Sequence, residues 1–244
     1  MFSSLINSQQ EPLDFTFHPG TRENALVILG HGVTGNKDRP LLVALADALA
    51  ASGWPCLRLS FSGNGSSGGT FQDATITKEV ADLQSVLEKI PPQTKIAYIG
   101  HSMGGAVGLL TAVREEKIRV LVSLAGMIFT SDFFQREFGT LTPDHDCMWE
   151  DESCPLSQAF ADDLLAHKDL LDAAAAVEVP WLLIHGTADD VVPALDSEAA
   201  FAAATLADKK FFSMEDAGHS FDETTYPLIA TEIHAWLDAH LQSF

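Results

Sequence analysis

Residues 95–110 read KIAYIGHSMGGAVGLL. The apolar run Ile96 to Ile99 predicts a short strand, and the small residues from Gly104 onward predict a helix. Between them, Gly100-His101-Ser102-Met103-Gly104 fits the pattern G-x-S-x-G. A serine lifted onto a tight strand-to-helix corner takes strained backbone angles, so its neighbours two residues away must lack bulk. Gly100 and Gly104 supply that room, and Gly105 and Ala106 let the helix pack close to the strand. The corner sets the Ser102 hydroxyl at a helix N-terminus, where backbone N–H groups and the helix dipole favour developing negative charge. The pattern alone is common, and its plainer reading is a glycine-rich turn with an idle serine. The strand before it and the helix after it favour the catalytic reading.

Working outward, strands and helices alternate. Leu13 to His18 is a candidate short strand. Ala25 to Leu29 is a continuous apolar run of the buried parallel-strand type, ending in His31-Gly32-Val33-Thr34-Gly35-Asn36-Lys37. Leu41 to Ala51 repeats Leu and Ala at helical spacing. Pro55 to Phe61 reads as a second buried strand, and Ser62 to Thr70 as a glycine-serine loop. Ile76 to Ile90 is amphipathic and stops at Pro91-Pro92. A strand follows at Ile118 to Ala125. The alternation breaks between Gly126 and about Ala176, in an aromatic and acidic stretch that is partly helical from Ser157 to Ala175. It resumes with a strand at Trp181 to His185, a helix at about Ala194 to Ala204, a strand at Lys210 to Met214 and a helix at Tyr226 to Leu241. Such alternation predicts an α/β fold: a mostly parallel sheet, right-handed crossovers and helices on both faces. With no repeat and no linker in view, the expectation is one domain over residues 1–244, carrying an insert at about 127–176.

Composition narrows the function. Of the 244 residues, 46% are hydrophobic, enough for a substantial core, and the formal net charge is −20. No apolar run approaches the roughly 20 residues that span a bilayer. MFSSLINSQQEP has neither the basic start nor the apolar centre of a secretion signal. The acidic balance argues against nucleic acid and anionic membrane as partners. It also disfavours strongly anionic substrates, unless a local pocket overrides the global field. Cys56 lies in an apolar run and reads as a buried thiol. Cys147 and Cys154 are too widely spaced for a metal pair. A disulfide between them is open on spacing, but reduced thiols in a cytoplasmic protein are expected. No metal site and no cofactor are expected.

A second glycine motif needs weighing. Gly63, Gly65 and Gly68 fit G-x-G-x-x-G directly after a strand. A dinucleotide site needs the helix to open at the motif and an acidic residue to end the next strand. Here the helix starts only near Thr75, and the next strand runs into His101-Ser102, so a loop turn is the better reading.

A serine hydroxyl is a weak nucleophile; it needs a base, and the base needs an orienting acid. Both should come from loops that follow later strands. After Trp181 to His185 comes Gly186-Thr187-Ala188-Asp189-Asp190-Val191-Val192-Pro193; after Lys210 to Met214 comes Glu215-Asp216-Ala217-Gly218-His219-Ser220-Phe221. The order is therefore Ser102, Asp189, His219. Among nine histidines, His31 and His101 flank glycine turns and read as loop packing. His185 ends a strand and reads as structural. His145 and His167 lie in the insert, and His234 and His240 face solvent on the last helix. His219 is the base of choice, and Asp189 is preferred to Asp190. The oxyanion hole should combine the backbone N–H of Met103 with that of Val33.

Together these residues resemble the α/β-hydrolase superfamily, over nearly the whole chain from Ala25 to Leu241. His31-Gly32-Val33-Thr34-Gly35-Asn36-Lys37 and Gly100-His101-Ser102-Met103-Gly104-Gly105 look like its feruloyl/cinnamoyl esterase and serine-aminopeptidase-like branch. The pattern His185-Gly186-x-x-Asp189-x-x-Val192-Pro193 and the pair Gly218-His219 are similar to that branch's acid and histidine loops. The resemblance implies a serine hydrolase acting on carboxylic esters, with the insert after the sixth strand of the family's sheet as a small lid. The chain departs from the branch at Ser60-Phe61-Ser62-Gly63-Asn64-Gly65, where Asp-x-x-Gly-x-Gly is frequent.

The implied partner is a small-molecule ester, cleaved through an acyl-enzyme on Ser102. Phe129, Phe133, Phe134 and Trp149 are candidates to line an apolar acyl or aryl pocket; ordinary lid packing is the competing reading. Thioesterase, amidase or peptidase, and lactone hydrolase share the triad and stay open. So does a non-catalytic binding protein on the same scaffold. Oligomeric state, monomer or homodimer, is open.

Overall fold

The computed structural model describes residues 4–241. Three short strands open the chain: β1 (Leu5–Ile6), β2 (Pro12–Leu13) and β3 (Phe15–His18). Then follow β4 (Ala25–Gly30), α1 (Pro40–Ala51), β5 (Cys56–Leu59), α2 (Ile76–Lys89), β6 (Lys95–His101), α3 (Met103–Ala112) and β7 (Ile118–Leu124). The insert holds α4 (Thr130–Phe138), α5 (Gln158–His167) and α6 (Leu171–Ala176). The chain ends with β8 (Trp181–Gly186), α7 (Ala194–Ala203), β9 (Lys209–Met214) and α8 (Tyr226–His240).

Seven strands form one sheet in the order β3-β5-β4-β6-β7-β8-β9. Only β3 runs antiparallel, against β5; the other neighbours are parallel. The period-two alternation of strand side chains divides the apolar residues between two cores. Leu26, Ile28, Ile96, Tyr98, Leu121, Trp181 and Leu183 face α2, α3 and the insert. Val27, Leu29, Ala97, Ile99, Val122, Leu182 and Ile184 face α1 and α8. Parallel strands buried on both faces explain why β4, β6 and β8 read as unbroken apolar runs. This sheet, with helices on both faces, is the α/β-hydrolase fold.

Two sequence expectations are refined and one helix is added. The stretch from Ser157 to Ala175, expected to be partly helical, resolves into two helices, because Lys168 takes φ 60° and ends the first. Helix α4, which no sequence pattern led us to expect, buries one face made of Thr130, Phe133, Phe134 and Phe138, and the Phe138 ring meets Phe133, Phe134, Trp149 and Phe160. His234 does not simply face solvent: its Nδ1 accepts from Trp54 Nε1 at 3.1 Å, and its Nε2 reaches Asp238. All three cysteines are free thiols, with Cys56 and Cys154 buried. In the glycine-rich loop, the Gly63 and Gly68 N–H groups donate to Gly68 O and Pro12 O, both at 2.7 Å. Those donors are therefore turned inward rather than offered to a phosphate.

One buried group is at odds with its surroundings. Glu79 on α2 is 1% exposed. Neither of its carboxyl oxygens meets a hydrogen-bond partner among the described residues, and the same holds for Tyr98 Oη and Ser62 Oγ. Burial first, then the charges of Asp82 and Asp163, pushes the Glu79 carboxyl well above its ordinary value. A carboxyl raised on folding stays protonated while the unfolded chain ionises, so it lowers stability as pH rises above about 4.3. Glu79→Gln therefore raises the melting temperature more at pH 8 than at pH 4, by at least roughly 2–4 °C. Scanning calorimetry at both pH values checks this; equal shifts would place an ionised Glu79 in the fold.

Candidate active site

The Ser102 corner has the geometry its sequence demands. Ser102 joins β6 to α3 with φ 55° and ψ −121°, outside the range a serine ordinarily adopts. A Cβ added at Gly100 would stand 2.1 Å from Gly104 O, and one at Gly104 would stand 2.5 Å from His31 O. No other residue fits either place. The Ser102 N–H donates to Leu124 O at 2.9 Å, and its carbonyl accepts from Gly105 N at 2.9 Å and Met127 N at 3.1 Å. The strained residue is thus tied to β7 on one side and to the start of the insert on the other.

Loops after β8 and β9 bring the acid and the base together. His219 Nδ1 lies 2.9 Å from Asp189 Oδ2. The Asp189 side chain is fully buried and that of His219 is 14% exposed. Asp189 Oδ1 accepts from the N–H groups of Val191 at 3.0 Å and Val192 at 2.9 Å. Asp190 is exposed and takes no part. With Nδ1–H given to the carboxylate, the His219 Nε2 lone pair is left for a proton from elsewhere. His219 and Ser102 line one pocket. They share no hydrogen bond within 3.5 Å, and such contacts commonly tighten only when substrate closes the site.

Sequence reasoning missed part of this network. His185, read as structural, also reaches Asp189 Oδ2, at 3.1 Å. Its Nε2 lies 2.8 Å from Val192 O, and its Nδ1 lies 2.7 Å from Ser197 Oγ. Because a carbonyl only accepts, Nε2 carries the hydrogen and donates to both oxygens. Asp189 thus accepts from two histidines and two backbone amides. Burial pushes its carboxyl up, but the hydrogen bonds from His185 and His219 outweigh this and hold it well below the usual range. The spacing His185-x-x-x-Asp189 was the only signal in the sequence. His101 is more than loop packing as well: its Nε2–H donates to His219 O at 2.9 Å, and the two rings stand 4.9 Å apart. Burial, followed by the nearby His219, lowers His101 to about 3, so it stays neutral beside His219.

The loop after β4 approaches the serine closely: a Cβ on Gly32 would stand 2.7 Å from Ser102 Cβ. Phe61 N–H donates to His31 Nε2 at 3.0 Å, so His31 Nδ1 carries the hydrogen and donates to Gly32 O at 2.9 Å. Gly35 N–H donates to the same carbonyl at 2.9 Å. A trans peptide holds its C=O and N–H on opposite edges. Fixing the Gly32 carbonyl therefore turns the Val33 N–H the other way. Neither the Val33 nor the Met103 N–H has a backbone acceptor among the described residues. His31→Phe keeps the ring but loses both hydrogen bonds. The expected result is a fall in kcat of about 10- to 100-fold with a smaller change in KM. His31→Asn, which restores one donor, recovers part of it. Steady-state kinetics of the two variants is the check.

The pocket over Ser102 holds about 300 Å³. Phe133 and Trp149 from the insert line it, together with Leu41, Arg39, Val191 and Tyr226. Phe129 and Phe134 are not in its lining. Phe134 is spent on the ring cluster around Phe138. Phe129 sits at the start of α4, where its N–H donates to buried Asp196 at 3.0 Å. Tyr226 and Arg39 were not anticipated, since each sits at a helix start with no motif around it. Among the described residues, no three His, Cys, Asp or Glu side chains are placed to hold a metal ion. No helix among them is long and apolar enough to cross a membrane.

Comparison with known proteins agrees with this architecture. Among solved structures, Est1E from Butyrivibrio proteoclasticus with ferulic acid bound superposes with a TM-score of 0.84 at 22% identity, covering 97% of this chain and 98% of that one. Mouse alpha/beta hydrolase domain-containing protein 10 gives 0.81 at 22% identity, covering 98% and 99%. In sequence, the mitochondrial palmitoyl-protein thioesterase ABHD10 of Pongo abelii is 27% identical over 165 residues, 62% of this chain and 52% of the relative. An uncharacterized protein of Mycobacterium tuberculosis (MT2364) is 28% identical over 212 residues, 84% of this chain and 66% of that one. The chain spans about half the length of the ABHD10 relative it matches. The family model described as "Serine aminopeptidase, S33" matches residues 21–144 and 145–222. The chain has the fold of the α/β-hydrolase superfamily and belongs to the serine aminopeptidase S33 family.

Proposed function

We propose that the chain hydrolyses carboxylic esters of small acyl or aryl acids through an acyl-enzyme on Ser102. The observation that carries this reading is the chain of contacts from buried Asp189 to His219, in a pocket shared with a strained Ser102. His219 Nε2 takes the Ser102 proton as Oγ attacks the ester carbonyl. The negative oxygen is received by the N–H groups of Met103 and Val33. The proton then passes from His219 to the departing alcohol, and the C–O bond breaks. Water, giving a proton to His219, attacks the acyl-Ser102 ester; the acid leaves and the proton returns to Oγ. Asp189 keeps His219 in the tautomer that can accept and steadies its cationic form. The insert, presenting Phe133 and Trp149, serves as the lid over the acyl group. The free thiols support a reducing compartment, and the cytoplasm is our assignment. Neither nucleic acid nor membrane is a partner in this reading.

A thioester is the second reading, favoured by the printed name of the ABHD10 relatives. The same acyl transfer serves both. Oxygen and sulfur esters of one acyl series, assayed in parallel on the purified protein, separate them. Higher kcat/KM on the oxygen esters supports the proposal, and a consistent preference for thioesters overturns its ester assignment.

A further inference from the structure

Acidic residues outnumber basic ones in this chain by 34 to 14, yet the pocket over Ser102 reverses that balance. Among its lining residues there is no aspartate or glutamate and one cation, Arg39. Among the described residues, the Arg39 guanidinium meets no carboxylate. Its Nη2 donates to Thr34 O at 3.0 Å and grazes Thr34 Oγ1 at 3.5 Å. The neighbouring carboxylate, Asp38, is taken by Lys37 and Arg58. A guanidinium has five N–H donors in a planar fork matched to a carboxylate; Thr34 occupies one or two of them. Its charge reaches the site: burial chiefly lowers His31 and His101, and Arg39 lowers both further. In a protein whose overall field repels anions, a bare guanidinium in a pocket free of carboxylates is a local attractor.

Resting on the hydrolase reading above, we infer that the preferred substrate is an ester bearing a second, ionised carboxylate. Arg39 receives that carboxylate while the scissile carbonyl lies at Ser102. The carboxylate sits either at the far end of the acyl chain or on the alcohol; the chemistry Arg39 recognises is the same. The charge expectation from composition, that strongly anionic substrates are disfavoured, is thereby overridden in this pocket.

The test uses two isosteric pairs, each an ionised carboxylate against its neutral carboxamide. The acyl pair is the p-nitrophenyl monoester of adipic acid and the corresponding monoamide. The alcohol pair is p-(acetoxymethyl)benzoate and p-(acetoxymethyl)benzamide. The readout is the ratio of kcat/KM within each pair, which cancels any change in the shared chemistry. In the wild-type protein one pair favours its anionic member at least tenfold. Arg39→Gln lowers that ratio at least tenfold, and Arg39→Lys keeps part of it. Raising the salt concentration lowers the ratio in the wild-type protein but not in Arg39→Gln. Turnover of the pairs with no anionic preference, or with a preference that survives Arg39→Gln, overturns the inference and leaves the hydrolase reading standing. No turnover together with no fluorophosphonate adduct on Ser102 removes both.

Discussion

Ser102→Ala lowers kcat/KM on every ester substrate by roughly 10⁴- to 10⁶-fold and leaves the fold intact. The nucleophile is lost outright, while the pocket and the oxyanion donors that bind substrate remain. The backbone adds a second, opposite prediction for stability. Ser102 holds φ 55° because β6 and α3 meet at a corner, with its N–H and C=O both tied down. Alanine carries the same strain. Glycine does not, so Ser102→Gly is as inactive as Ser102→Ala but more stable by about 1 kcal/mol. Chemical denaturation of the two variants isolates the strain. A Gly variant no more stable than the Ala variant would mean that the strain does not exceed glycine's extra unfolded-state entropy, about 0.5–1 kcal/mol, and would contradict this prediction.

Asp189→Asn lowers kcat by roughly 10⁴-fold, for a reason visible in its four contacts. An amide can turn its oxygen toward Val191 and Val192, but its NH₂ then faces the N–H groups of His185 and His219. His219 relieves the clash by moving its hydrogen to Nε2, the tautomer that cannot accept a proton from serine. Stability falls too, because a buried carboxylate with four donors is replaced by a group that satisfies only some of them. The pH dependence has a defined sign. Burial raises Asp189, but the histidine hydrogen bonds win and its folded value lies below the ordinary one. Its contribution is therefore complete above the unfolded value near 4, and it is lost as pH falls toward the folded value. The stability gap between the wild-type protein and Asp189→Asn narrows on acidification below about pH 4. Urea midpoints at neutral and acid pH measure this, and a gap that widens with acid would contradict the assignment.

The parts of the fold that were legible from sequence are those where local pattern and burial agree. Strands β4, β6 and β8 are buried on both faces, so they read as unbroken apolar runs. Ser102 and Asp189 each follow such a strand, whereas His219 follows the partly exposed strand β9 and was singled out by its place in the loop after it. The insert was less legible. Its helices are short, α4 buries a face of only four residues over nine, and a φ of 60° at Lys168 leaves no trace in composition. Hence Phe129 and Phe134 could not be told from Phe133 and Trp149. The roles of His31, His101 and His185 were hidden for another reason. Each acts through a hydrogen bond whose partner the loop geometry selects, His31 to Gly32 O, His185 to Asp189 and His101 to the distant His219 O, and nothing in a histidine's sequence neighbours announces which carbonyl or carboxylate it will meet. Arg39 was hidden by the acid excess, since a cation that meets no carboxylate is visible only once the pairings of its neighbours are known.

The proposed function stands or falls with Ser102 as an activated nucleophile. The most direct measurement is the intact mass of the folded protein after incubation with a fluorophosphonate, with the modified residue mapped by peptide fragmentation. The expected result is a single adduct, on Ser102, absent from Ser102→Ala and strongly slowed in Asp189→Asn. A folded protein that takes no adduct, or takes it on another residue, would contradict it.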